Sequence, residues 1–179
     1  KMYERIWDGS SFPLITNTAN FTESVRKELE KIDPDGYVEV DHAFLLSSPY
    51  ISEVYDSWEN DVKNGVGATK LMVVPMFPQY SESTIASGID AFAKELSKRV
   101  NIPTFEVITS FHRTRAFIDN SAAQIDAKIK ELIAEGVDVN RLVMSFHGMQ
   151  KRRIVNKGDD YYRHCYETFR LIVDRLQQL

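Results

Sequence analysis

The run Leu142-Val143-Met144-Ser145-Phe146-His147-Gly148 carries the plainest chemical signal in the chain. A short apolar stretch ending in an imidazole and then a glycine predicts a buried strand, after which the chain turns sharply away. Ligands in an open α/β sheet sit at the carboxyl ends of strands. A histidine there can accept a proton or bind a metal near neutral pH, so His147 is the candidate catalytic base and metal ligand. The polar loop Gln79-Tyr80-Ser81-Glu82-Ser83-Thr84 follows a second apolar run, Lys70 to Phe77, and the topology predicts it on the same sheet edge. Its phenol and hydroxyls suit ligand contact; the plainer explanation is helix capping by Ser81, Ser83 or Thr84. Of the other histidines, His42 reads as a satisfied core or edge residue of a strand. His112 ends a strand and either reaches the cleft or is solvated beside Arg113 and Arg115, and His164 beside Cys165 reads as surface. Lys151-Arg152-Arg153 with Lys157 could hold carboxylate or phosphate groups, although a solvated face is the commoner explanation. Asp159-Asp160 suits either a cation or a helix N-terminus.

The elements that must position these residues alternate. Phe21, Val25, Leu29 and Ile32 predict a helix over 21–32, stopped by Asp33-Pro34-Asp35-Gly36. Tyr37 to Leu46 alternates as a strand, and Val54, Tyr55, Trp58 and Val62 predict a helix closed by Gly65. Lys70 to Phe77 reads as a parallel strand covered on both faces. A helix from Ile85 to about Arg99, a strand over 104–108, a helix over 113–135, the strand ending at His147, a basic loop and a last helix complete the order. This is an α/β pattern with a mostly parallel sheet flanked by helices. The aromatic opening segment, with Tyr3, Ile6, Trp7 and Phe12, is predicted to pack. Ser110-Phe111-His112 echoes Ser145-Phe146-His147, but one βα unit gives that spacing and three residues are too few for a repeat.

Composition narrows the classes. The 179 residues suit one domain or two modest lobes, and 43% hydrophobic residues can build a core. A net charge of −4 gives no whole-chain attraction to nucleic acid or anionic membrane. Cys165 is the single cysteine, which excludes an internal disulfide and a thiolate-only metal site. No histidine or cysteine pair has the spacing of a stable zinc site, so a metal at His147 would occupy an open or transient site. No apolar run reaches membrane-span length and no signal-peptide pattern opens the sequence, so the expected location is cytoplasmic. Phosphate-loop glycines are missing, which speaks against a flavodoxin-like nucleotide binder.

Several stretches resemble one family in the right order. Pro78-Gln79-Tyr80-Ser81 with Ser83-Thr84 is similar to the PQYSxST loop of ferrochelatases. Ser145-Phe146-His147-Gly148, then Lys151-Arg152 and Gly158-Asp159-Asp160-Tyr161, resembles that family's SFHGxPxRxxxxGDxY stretch, with Cys165 and the following helix in keeping. Ile6-Trp7 followed by Phe12-Pro13-Leu14 is similar to the segment before the family's second strand. The Gram-negative bacterial type looks nearest.

The resemblance implies a two-lobed chelatase that inserts Fe(II) into protoporphyrin IX at the end of haem synthesis, a lyase with iron as substrate and no required cofactor. On that basis His147 is metal ligand or acceptor of pyrrole protons. Tyr80, Ser81, Ser83 and Thr84 would line the porphyrin wall, with Phe146, Met76 and Phe77 as apolar contributors. Leu45-Leu46 replaces the family's usual Arg-Tyr pair, which puts a propionate contact in doubt, and Gln150 replaces a usual proline. The chain resembles an interior piece: 1–112 most of the first lobe, 113–179 the crossover helix and the start of the second. It would then lack the carboxylate that faces the histidine. Porphyrin and ferrous iron are the implied partners, nucleic acid is not, and peripheral membrane contact and oligomeric state stay open. The alternatives are a non-catalytic porphyrin- or haem-binding module, a truncated inactive chelatase, or a short chelatase that dimerises to rebuild the cleft.

Overall fold

A computed structural model describes Trp7, Gly9 and residues 12–65 and 69–179; Tyr3 and Ile6 of the opening segment lie outside the described residues. The elements run α1 (Pro13–Ile32), α2 (Ile51–Lys63), β1 (Lys70–Val73), a π-turn (Glu82–Ala86), α3 (Ser87–Leu96), β2 (Thr104–Val107), α4 (Arg115–Ala134), α5 (Lys151–Lys157) and α6 (Tyr161–Leu176). The fold is α/β, as expected: β1 and β2 form a small parallel sheet, and 54% of the described residues are helical, the π-turn included. The chain divides into two compact units, Lys1–Leu71 with Ala91–Phe105, and Met72–Asp90 with Glu106–Leu179.

In the first unit α1 starts at Pro13, eight residues before the predicted start. Proline is favourable there because its missing N–H is not needed in the first turn and its φ is already helical. The inward stripe also differs from the predicted one. Ile15, Thr18, Thr22, Val25 and Leu29 are the less exposed positions, whereas Phe21 and Ile32 are 52% and 78% exposed. Thr22 tolerates burial because its hydroxyl donates to the Thr18 carbonyl at 2.9 Å and accepts from His42 Nδ1 at 3.0 Å. His42 is therefore satisfied, although no strand forms over 37–46; Phe44 makes only an isolated bridge to Tyr50. α2 begins where the Glu53 carboxylate accepts the Tyr50 N–H at 2.6 Å and the Ser48 hydroxyl at 2.8 Å. Tyr55, Phe92 and Leu96 are buried; the Tyr55 hydroxyl donates to the Asn101 carbonyl at 2.6 Å, and Phe92 meets Phe105 edge-on at 5.6 Å. Arg99 lies 5.0 Å over the Tyr55 ring and pairs with Asp56, Glu95 and, at 3.8 Å, Glu59. The Asp56 hydrogen bond first, and that of Glu95 second, hold its guanidinium above the ordinary arginine value.

The second unit is built on α4 packed against α6. Ile85, Ile118, Ala122, Cys165 and Ile172 are its buried apolar residues. Asp119 accepts from Arg175 Nε at 2.7 Å and from Arg115 Nε at 3.2 Å, joining the two helices at their rims. β1 ends at Val73, not at Phe77, and the ladder continues only as far as an Ile108 N–H to Val73 carbonyl bond of 2.9 Å. The predicted strand ending at His147 is not formed: residues 141–150 have no regular structure and no ladder to another described residue. A strand exists only when a neighbour accepts its hydrogen bonds, and apolar character cannot supply one. The predicted basic loop after it is the helix α5, closed by Gly158 at φ 72°, a left-handed position that suits glycine.

Candidate active site

The loop after β1 is fixed by backbone and side-chain groups of the second unit. The Phe111 and His112 N–H groups donate to the Pro78 carbonyl at 3.1 and 3.0 Å. Gln79 Nε2 donates to Thr168 Oγ1 at 3.1 Å, and the Tyr80 N–H donates to His164 Nδ1 at 3.1 Å. Ser81 is 1% exposed; its hydroxyl accepts the Ser83 N–H at 3.2 Å, lies 2.9 Å from the Ser83 hydroxyl and 3.4 Å from Asp159 Oδ2. Asp159, also buried, accepts the Glu82 N–H at 2.9 Å with Oδ2 and the Tyr161 N–H at 2.9 Å with Oδ1. One carboxylate thus satisfies a backbone donor two residues on and another 77 residues away. The Ala86 N–H reaches back five residues to the Ser81 carbonyl, which makes the first turn a π-turn, a feature found often at functional sites. Tyr80 and Thr84 are half-buried and Ser83 is exposed.

His147 is exposed, with Nδ1 2.9 Å from the Gly148 carbonyl oxygen. A carbonyl can only accept, so Nδ1 carries the proton and Nε2 of the neutral ring keeps its lone pair. That nitrogen is the one able to take a proton or coordinate a metal. Phe146 beside it is 37% exposed, and Met76 and Phe77 are 56% and 48% exposed, so all three offer apolar surface. The His147 backbone meets Tyr161, whose phenol is pushed up to about 12 by burial first and by its hydrogen bond with Cys165 second. Burial likewise raises the Cys165 thiol, which keeps it protonated and a poor metal ligand. The segment bearing His147 and the loop bearing Tyr80 to Thr84 are both joined to the stretch Asp159–Cys165.

Two histidines are not where the sequence suggested. His164 is 8% exposed, not a surface residue, and its ring stacks on His112 at 3.8 Å with 17° between the planes. His112 is 3% exposed, which overturns a solvated placement, and its Nε2 lies 2.9 Å from Glu167 Oε2. Neither was legible as a partner of the loop, because both pairings cross long stretches of sequence; the Ser110-Phe111-His112 echo was the available signal. On α5, Arg152, Arg153, Asn156 and Lys157 line a surface cavity of about 240 Å³, and Arg153 reaches Glu82 at 3.8 Å. Among the described residues, no group of three or more His, Cys, Asp and Glu side chains could hold a metal ion.

The family model of ferrochelatase matches residues 1–179. The chain belongs to the ferrochelatase family. The ferrochelatase of Idiomarina loihiensis is 35% identical over 174 residues, 97% of this chain and 45% of that protein. That of Marinobacter nauticus is 30% identical over 97% of the chain and 44% of its own length, and that of Francisella tularensis 32% over 98% and 49%. The chain therefore spans less than half the length of these ferrochelatases. Within the described residues, no helix is long and apolar enough to cross a membrane.

Proposed function

We propose that this chain serves the ferrochelatase reaction, insertion of Fe(II) into protoporphyrin IX with release of two pyrrole protons, with His147 as metal ligand and proton acceptor. The observation that carries the reading is the histidine of the family's Ser-Phe-His-Gly stretch, exposed, with Nδ1 on the Gly148 carbonyl and Nε2 left basic. Iron must shed water and each pyrrole nitrogen must lose a proton before the metal is bound in the ring. A neutral imidazole nitrogen can accept one proton at a time near pH 7 and holds iron softly enough to release it. Tyr80, Ser83 and Thr84 would line the porphyrin wall, with Phe146, Met76 and Phe77 as apolar surface. Ser81, buried, would act by holding the loop in shape. Porphyrin and ferrous iron are the substrates in this reading, no cofactor is required, and the location is the cytoplasm. The first lobe would run over 1–112 and the second begin at 113–179.

The test is anaerobic titration of the chain and of His147→Ala with protoporphyrin, followed by Fe(II) or Zn(II) and spectroscopic detection of the metalloporphyrin. Insertion by the wild type that falls by a factor on the order of 10²–10⁴ in the variant supports His147 as the reacting group. Binding in both without insertion supports a porphyrin-binding module, and no binding in either overturns the reading.

A further inference from the structure

We propose that His164 is a positioning residue that holds the backbone of Tyr80 through a neutral imidazole, and that protonating this ring releases the loop. Two observations meet at this ring. Its Nδ1 is the acceptor for the Tyr80 N–H at 3.1 Å, a role open only to an unprotonated nitrogen. Its face lies 3.8 Å from a second imidazole, so a charge on one ring opposes a charge on the other. The neighbours deepen the effect. His112 is 3% exposed and its Nδ1 meets no hydrogen-bond partner among the described residues, so the ring stacked on His164 lies out of water. Its Nε2 is already engaged by Glu167 at 2.9 Å.

The charged groups facing His164 divide in sign. Asp160 and Glu167 favour its protonation, while His112 and Arg163 oppose it; Arg113 lies near Glu167. Burial outweighs the two acids and holds the His164 value below that of an ordinary histidine. The ring is also fixed by its backbone: the His164 N–H donates to the Asp160 carbonyl and the His164 carbonyl accepts the Thr168 hydroxyl at 2.8 Å. Thr168 holds Gln79 as well, so one turn of α6 secures two successive loop residues. The functional consequence rests on the reading of Tyr80 to Thr84 as substrate wall; the clamp itself does not.

Amide-resolved NMR of the whole chain between pH 7.5 and 5 tests it without any porphyrin. The Tyr80 amide is expected to lose exchange protection along the same curve that the His164 ring follows on protonation. His164→Asn places a non-titrating acceptor near the Nδ1 position and should keep Tyr80 protected at both ends of the range. A Tyr80 amide that stays protected while His164 titrates overturns the proposal in the unaltered protein, whatever the variant does. Porphyrin affinity of the two proteins is then measured over the same range. A wild-type affinity that falls at least threefold more than that of His164→Asn links the clamp to the substrate wall. A clamp that opens with no porphyrin bound at any pH leaves the clamp standing and overturns only the reading of the wall.

Discussion

Asp159 shows how much of a candidate site can depend on a residue that touches no ligand. Its two oxygens accept N–H groups of Glu82 and Tyr161 while the Ser81 hydroxyl sits at 3.4 Å, with Asp159 and Ser81 themselves buried. Replacing Asp159 by Ala leaves buried donors without acceptors, with an expected loss of about 3 kcal/mol in urea unfolding. Asp159→Asn keeps one acceptor oxygen and should lose about half as much. Equal losses in the two variants would mean that shape, not hydrogen bonding, sets the role of this side chain. At the same scale, the motif residues were legible from sequence because their chemistry is written in their type. His112 and His164 were not, since their burial and stacking are made by residues up to 84 positions away.

Helices and strands divide sharply in how well sequence exposes them. α4 runs within two residues of its predicted bounds and α2 ends just before the predicted Gly65 stop, because a helix closes its hydrogen bonds internally and its period is local. The apolar runs over 70–77 and 142–147 look equally strand-like, yet only Lys70–Val73 is paired. Pairing is a property of two segments, and one run cannot reveal its partner. The face of α1 was misread for a different reason. Threonines bonded back to the preceding turn occupy inward positions that apolar patterning assigns to Phe21 and Ile32. Phe21→Ser should accordingly change stability by no more than about 0.5 kcal/mol. Thr22→Val, which strips His42 of its hydroxyl partner, should cost about 1 kcal/mol. Chemical denaturation of the two variants checks this, and the reverse order would mean that α1 is turned the other way.

Each unit carries its own response to acid. In the second, the depressed His164 means that the unfolded chain binds its proton first. This contribution to stability is present above the ordinary histidine value of 6.5 and is lost as pH falls from there through the folded value. Glu167, lowered by its hydrogen bond with His112, contributes above its ordinary 4.5 and is lost as pH falls through its own depressed value. In the first unit Glu95 is lowered by hydrogen bonds to Lys98 and then Arg99, so its contribution is lost as pH falls through its own depressed value. Urea midpoints followed by a tyrosine–tryptophan probe near Trp58 in the first unit should thus stay level from pH 7.5 to 5.5. A ring-current probe on α6 should move over that interval. A matching early loss near Trp58 would mean that the units do not titrate separately.

The unladdered run 142–146 has a consequence for how the chain behaves in company. Val143 is 79% exposed and Leu142 45%, in a segment without regular structure whose backbone donors and acceptors meet no neighbouring strand among the described residues. An exposed, unpaired apolar run of this kind is a segment against which a second copy can pair its own, and growth by such pairing does not close. Solubility should therefore fall steeply with concentration, and a single lysine at Val143 should raise the threshold while leaving the fold, judged by circular dichroism, unchanged.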